Sequence, residues 1–130
     1  MSLMISGIYI AATAAIMMVL AYRVVAMRRA CGIGVGCGDN RSLELRVRSH
    51  ANLLEYAPLV LLMLIAAESN GANAWLLHSV GSVWLVARVL HPWGLVGGNG
   101  GYHAGRFWGT LLSWIVTLVL IIENLRLAIF

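Results

Sequence analysis

Four long apolar stretches alternate along the chain with short connections that hold most of its glycine. The first runs from Ile5 to about Met27 and closes on Arg28-Arg29, with Ala11, Ala12, Ala14 and Ala15 as small residues that let neighbouring helices approach closely in lipid. In the second, the purely apolar run from Ala57 to Ala67 covers only about half of the roughly 20 residues a bilayer crossing needs. The helix is therefore predicted to begin near Arg46 or Arg48 and to reach Glu68, which draws Asn52 and Glu55 inside it, where polar groups are costly unless partnered. The third is predicted over about 72–91, stopped at His91-Pro92 because proline disfavours helical geometry before it and supplies no N–H. The fourth is predicted over about 106–126. Cys31 to Asn40 and Gly94 to Gly105 are so rich in glycine that both are expected to be loops.

Composition agrees with this pattern. Of 130 residues, 61% are hydrophobic and 11% charged, the mean hydropathy is +0.86, and a soluble domain would carry roughly 25% charged residues. The expected fold class is thus an all-α membrane protein, a single four-transmembrane-helix bundle filling the chain. All nine basic residues are arginine, giving a net charge of +4. Most of them flank or interrupt apolar segments, so they report membrane orientation or an intramembrane site and argue against nucleic acid as a partner. Arg28, Arg29, Arg41, Arg46 and Arg48 crowd the first connection while Glu68 to Asn73 has no basic residue, which places the first and third connections in the cytoplasm and both termini outside. The first segment lacks a charged leader region and a small-residue cleavage site, and is expected to be retained.

Arg48, Asn52, Glu55 and Tyr56 stand at i, i+4, i+7 and i+8, one stripe of a helix. A plainer alternative is that Arg48 ends a helix and Glu55 pairs with a neighbour. Arg88 and His91, three apart on the third helix, lie near the same level, as do Arg106 opening the fourth and Arg28-Arg29 closing the first. Cations converging at one depth with Glu55 as the main acid call for an anionic ligand. Cys31 and Cys37 are expected to be free thiols, and no His, Cys and acid set has metal-ligand spacing, so no metal is predicted. The glycine-rich Cys31–Asn40 segment lacks the strand and the Gly-Lys-Ser/Thr ending of a phosphate loop. His78 is expected to hydrogen-bond across helices near Ser79 and Ser82 rather than relay protons, and Glu123 to pair with Arg126. Trp75, Trp93 and Trp108 stand near helix ends, where interface anchors belong.

The segment R-V-R-S-H-A-N-L-L-E-Y-A-P, residues 46 to 58, resembles the second-helix signature of the MAPEG family, membrane-associated proteins in eicosanoid and glutathione metabolism. Arg28-Arg29, A-R-V-L-H at 87 to 91 and an arginine opening the fourth helix are also similar to that family. The resemblance implies a homotrimer of four-helix protomers in a bacterial inner membrane, with glutathione bound between protomers toward the cytoplasm. By position it implies Arg48, Asn52, Glu55, Tyr56, Arg88 and His91 as glutathione-binding residues, and Arg106 and Arg29 as the catalytic arginines near the thiol. Glutathione offers two carboxylates to arginine forks, an ammonium to Glu55, and a thiol of pKa about 8.5 that an adjacent arginine would lower. The implied activity is a transferase or peroxidase that uses glutathione as cosubstrate on a hydrophobic electrophile arriving from the lipid. The alternatives are a non-catalytic lipid- or ligand-binding protein of the same fold and, less well matched by a second helix with one embedded acid, a proton-coupled transporter. The glycine-rich run 97 to 105 departs from the family pattern, and only Tyr102 is placed to stand in for the tyrosines that flank the thiol there.

Overall fold

The computed structural model describes residues 3–129, folded as four helices, α1 (Met4–Cys31), α2 (Arg41–Ser69), α3 (Ala74–Gly97) and α4 (Ala104–Ile129). They run alternately up and down, so that the α1–α2 and α3–α4 connections share one end of the bundle. α2 and α3 touch each other and both outer helices, whereas α1 and α4 do not meet. At about 1.5 Å per residue, α1, α2 and α4 exceed the 30 Å of a bilayer core, and these three are long and apolar enough to cross it. α3, which carries His78, Arg88 and His91, is not among them.

The ends differ from the sequence expectation for local reasons. α1 continues past Arg28-Arg29 to Cys31 because its stop is Gly32, whose left-handed φ of 69° lets its N–H return to the Arg28 carbonyl. Cys31 therefore belongs to the helix and not to the loop. α2 starts at Arg41 rather than Arg46, since Asn40 caps it by accepting from the Leu43 N–H at 2.9 Å. Asn73 does the same for α3, accepting from Trp75 N–H at 2.8 Å.

The larger correction is at Pro92, which does not stop α3: the helix runs on to Gly97. Packing outweighs propensity there. A Cβ on Gly94 would lie 2.0 Å from the Arg106 nitrogen, and one on Gly109 2.6 Å from the His91 nitrogen, so the α3 and α4 backbones come into contact where these glycines stand. Gly105 and Gly109 form a G-x-x-x-G stripe on α4 that admits this close crossing. In lipid, such neighbours let helices tolerate proline, as α2 also does at Pro58. Gly94 and Gly105 are thus packing residues, not loop residues.

Between the ends the core is Leu53, Val60, Leu64, Leu77, Val116 and Leu120, with Trp84 buried among them. Several polar side chains inside the bundle are partnered across helices, where lipid offers no water to satisfy them. The Trp84 indole donates to Thr13 Oγ1 at 3.0 Å. The Tyr9 hydroxyl lies 3.1 Å from both His78 Nδ1 and Ser82 Oγ, so His78 is bonded across helices through a tyrosine of α1. At the end away from the long connections, Glu68 of α2 accepts from the backbone N–H groups of Ile5 and Ser6 at 2.9 and 2.7 Å and from the Ser6 hydroxyl. A carboxylate placed against the first N–H groups of α1 satisfies donors the helix cannot and meets its positive dipole end. Glu123 and Arg126 form a two-pronged pair at 2.9 and 2.7 Å.

Candidate functional site

The helical register of α2 carries Arg48, Asn52, Glu55 and Tyr56 down the side nearest α3 and α4. Arg48 Nη1 lies 3.6 Å from Glu55 Oε1, and both side chains are more than half exposed. Asn52 turns inward: its Oδ1 accepts from Arg88 Nη1 at 3.1 Å. The Tyr56 hydroxyl accepts from the Trp114 indole at 3.1 Å, so its ring stands between α2 and α4.

Arg88 is 2% exposed. Its guanidinium reaches across the bundle to the Gly109 carbonyl at 3.2 Å and to Ser113 Oγ on α4. It also stacks over the Trp84 and Tyr56 rings, 4.8 and 5.3 Å from their centroids. A charge held so thoroughly by its own chain ties α2, α3 and α4 together at one depth. His91, one turn on, is buried against the Gly109 backbone.

At the connection-bearing end these groups open into a polar pocket of about 200 Å³, lined by Arg41, Glu44, Arg48, Asn52, His91 and Arg106 among others. The 98–103 connection forms its rim. Arg41 donates to the Asn99 carbonyl at 3.2 Å and Arg106 to the Gly100 and Gly101 carbonyls, so arginines from α2 and α4 clasp the connection from two sides. Gly100 suits the place between them because its φ is +82°, a backbone conformation that other residues rarely adopt. Arg106 is also a wall of a second cavity, about 550 Å³, formed by Tyr102, His103, Phe107, Thr110, Leu111 and Trp114. A third, about 380 Å³, continues along Glu55, Tyr56, Leu59, Trp114 and Leu118. One arginine therefore separates a cationic pocket from an apolar one.

The fold brings Arg48, Asn52, His91 and Arg106 to one pocket, with Glu55 and Tyr56 at its α2 side and Arg88 beneath. Arg29 stands apart, in the exposed last turn of α1 and outside that lining. Arg28 donates to the carbonyls of Ile33, Gly34 and Gly36 and so organises the glycine-rich connection rather than the pocket. Arg41 and Glu44, paired at 2.8 Å, belong to the pocket and were not singled out from the sequence. The available signal was Asn40 as an N-cap, which would have moved the start of α2 back and added a turn to its polar face.

The likeness to known proteins extends over nearly the whole chain. The family model of the MAPEG family matches residues 6–126, and the chain belongs to that family, membrane proteins linked to glutathione and eicosanoid metabolism. The inner membrane protein YecN of Escherichia coli, from strain K12 and from an O6:H1 strain, is 29% identical over 125 residues, covering 94% of this chain and 91% of that protein. No solved structure matches significantly.

Proposed function

We propose that this chain is a glutathione-dependent membrane transferase or peroxidase whose thiolate is stabilised by Arg106. The observation that carries the reading is the position of Arg106 between the polar pocket and the apolar cavity next to it. Glutathione's carboxylates suit Arg48 and Arg41, its ammonium suits Glu55, and its thiol would then lie toward Arg106, facing an electrophile that enters the cavity at Phe107 and Trp114. In a transferase turn the thiolate forms the new sulfur–carbon bond as the leaving group departs with its electron pair, and the thiol proton has gone to solvent.

Two further features support a homotrimer with sites at the boundaries between copies. At about 200 Å³ the polar pocket of one chain is below the 300 to 1,000 Å³ usual for ligand sites. Arg48 and Glu55 are also more than half exposed on a helix apolar enough to cross a membrane, a costly arrangement unless a second copy covers them. A neighbouring α1 would also be the route by which Arg29 reaches a site. In this reading α3 is the fourth crossing, its polar groups shielded by α1, α2 and α4, and the site faces the cytoplasm of an inner membrane. A second reading, binding without turnover, is favoured by one observation: the polar pocket lining contains no tyrosine, and Tyr102 lines the apolar cavity instead.

Arg106→Leu separates the two. If the arginine stabilises developing thiolate, turnover of a chloronitrobenzene electrophile falls about a hundredfold, the effect of removing one preorganised donor, while glutathione affinity changes far less. Arg106→Lys recovers part of the rate because it keeps the charge and loses the planar fork. Equal turnover and equal thiolate absorbance in wild type and Arg106→Leu would remove Arg106 from the chemistry.

A further inference from the structure

Between α1 and α3 lies a groove of about 500 Å³ whose walls include Ala15, Val19 and Leu20 on one side and Val89, Pro92 and Val96 on the other. Arg23 and Arg88 are the charged residues in its lining. Arg88 sits at its buried side, its guanidinium engaged toward α4 but its Nε without a hydrogen-bond partner. Arg23 is different: it is exposed, and no described residue hydrogen-bonds to it or pairs with it. No acidic residue lines the groove, and α1 contains none. With Arg88 already engaged toward α4, Arg23 at the mouth of a largely apolar groove lacks a counter-charge among the described residues.

The dimensions say which kind of anion fits. From Ala15 to Arg23 is eight residues of helix, about 12 Å, close to the 15 Å or so that one leaflet contributes to a 30 Å bilayer core. Arg23, Trp93 and Gly97 stand at the groove end nearest the long connections, where Arg28 and Arg29 also lie. Trp93 is 60% exposed, as an indole at headgroup depth would be, and an arginine stem of that length can lift its charge to the same level. Thus an apolar channel one leaflet long ends at a free guanidinium beside an interfacial tryptophan.

We propose that the α1–α3 groove is a binding site for an anionic membrane phospholipid, with an acyl chain along the Val19, Val89 and Val96 walls and the phosphate against Arg23. The site is separate from the glutathione pocket and does not depend on it. A resident lipid here would cover the outer face of α3 along Val89 and Val96.

The test uses the assembled protein in nanodiscs containing equal amounts of phosphatidylglycerol and phosphatidylcholine, followed by native mass spectrometry of the lipids that stay bound. Wild type should retain phosphatidylglycerol in about fivefold excess, the equivalent of about 1 kcal/mol for one arginine beside an anionic lipid. Arg23→Gln should return the ratio to that of the bilayer and Arg23→Lys should keep it. Arg29→Gln removes the same charge at the same end outside the groove and should also keep it, whereas Val89→Phe should reduce retention of both lipids by filling the channel. An unchanged ratio in Arg23→Gln overturns the proposal, as does an equal loss in Arg29→Gln. So does a disulfide-linked dimer formed on mild oxidation by Val89→Cys in a Cys31→Ser, Cys37→Ser background, which would show a second copy in the groove. Should Arg23→Gln not assemble, wild type offered phosphatidylglycerol against uncharged diacylglycerol decides: equal retention refutes the site.

Discussion

Gly94→Ala is the substitution in which fold and function are most tightly joined. The added Cβ would stand 2.0 Å from the Arg106 nitrogen and 2.5 Å from the Gly105 carbonyl carbon, both backbone atoms that no rotamer change can move. Ordinary contact begins at 3.4 Å, so α3 and α4 must separate by about 1.4 Å at this point, the difference between 3.4 and 2.0 Å. Overpacking of this kind costs roughly 1 to 3 kcal/mol. The opening falls at the Gly105–Arg106 peptide itself, and a displacement of about 1 Å in a catalytic group costs on the order of a hundredfold in rate. Unfolding in graded denaturing detergent would read the first effect and turnover of glutathione with a chloronitrobenzene the second. Gly7→Ala serves as the control, since a Cβ there meets nothing within 4 Å. If Gly94→Ala matched wild type in both assays while Gly7→Ala did too, the α3–α4 crossing described here would be wrong.

Glu68→Ala removes the acceptor for the Ile5 and Ser6 N–H groups and the Ser6 hydroxyl, and should lower stability by about 0.5 to 2 kcal/mol in the same unfolding assay, the range for a lost helix cap. Tyr9→Phe deletes the hydroxyl shared by His78 and Ser82 and should cost about 0.6 kcal/mol, the average for a hydrogen bond between membrane helices. A cost several times larger would mean that the cluster has a role beyond packing. Ser113→Ala removes a neutral acceptor from buried Arg88 and should destabilise by about 1 to 3 kcal/mol, with glutathione affinity changing less than stability because Ser113 lies outside the pocket lining.

The helices were legible in the sequence because a bilayer's demand for apolar length leaves few alternatives, and the need to lengthen the short Ala57–Ala67 run correctly drew Asn52 and Glu55 into α2. Most of what sequence missed is tertiary. Pro92 and the glycines after it read as loop by propensity, yet α3 continues because Gly94, Gly105 and Gly109 let two backbones touch, a tertiary fact with no local signature beyond a G-x-x-x-G spacing. Starting α2 five residues late hid Arg41 and Glu44 from the pocket, although Asn40 marked the true start. Glu68, placed at the end of the second helix, drew no role from the sequence because its partners are 62 and 63 positions away. Arg23 passed unnoticed inside an apolar run, where only the α1–α3 groove reveals it as unpaired. The convergence of Arg48, Asn52, His91 and Arg106 could be anticipated, since residues at matching depths on antiparallel helices meet. That Arg88 would be held by Asn52, Gly109 and Ser113 could not, because its partners depend on how α4 is rotated.

Calorimetric titration of the assembled protein in mild detergent with glutathione, beside Glu55→Gln, reads whether the Arg48–Glu55 face binds it. Binding should be saturable in wild type and at least about tenfold weaker in the variant, because a charge-assisted bond to the ligand's ammonium is worth roughly 1.5 to 3 kcal/mol and about 1.4 kcal/mol is one decade. Absence of binding to wild type, or equal affinity in a correctly assembled Glu55→Gln protein, would contradict a glutathione site on this face.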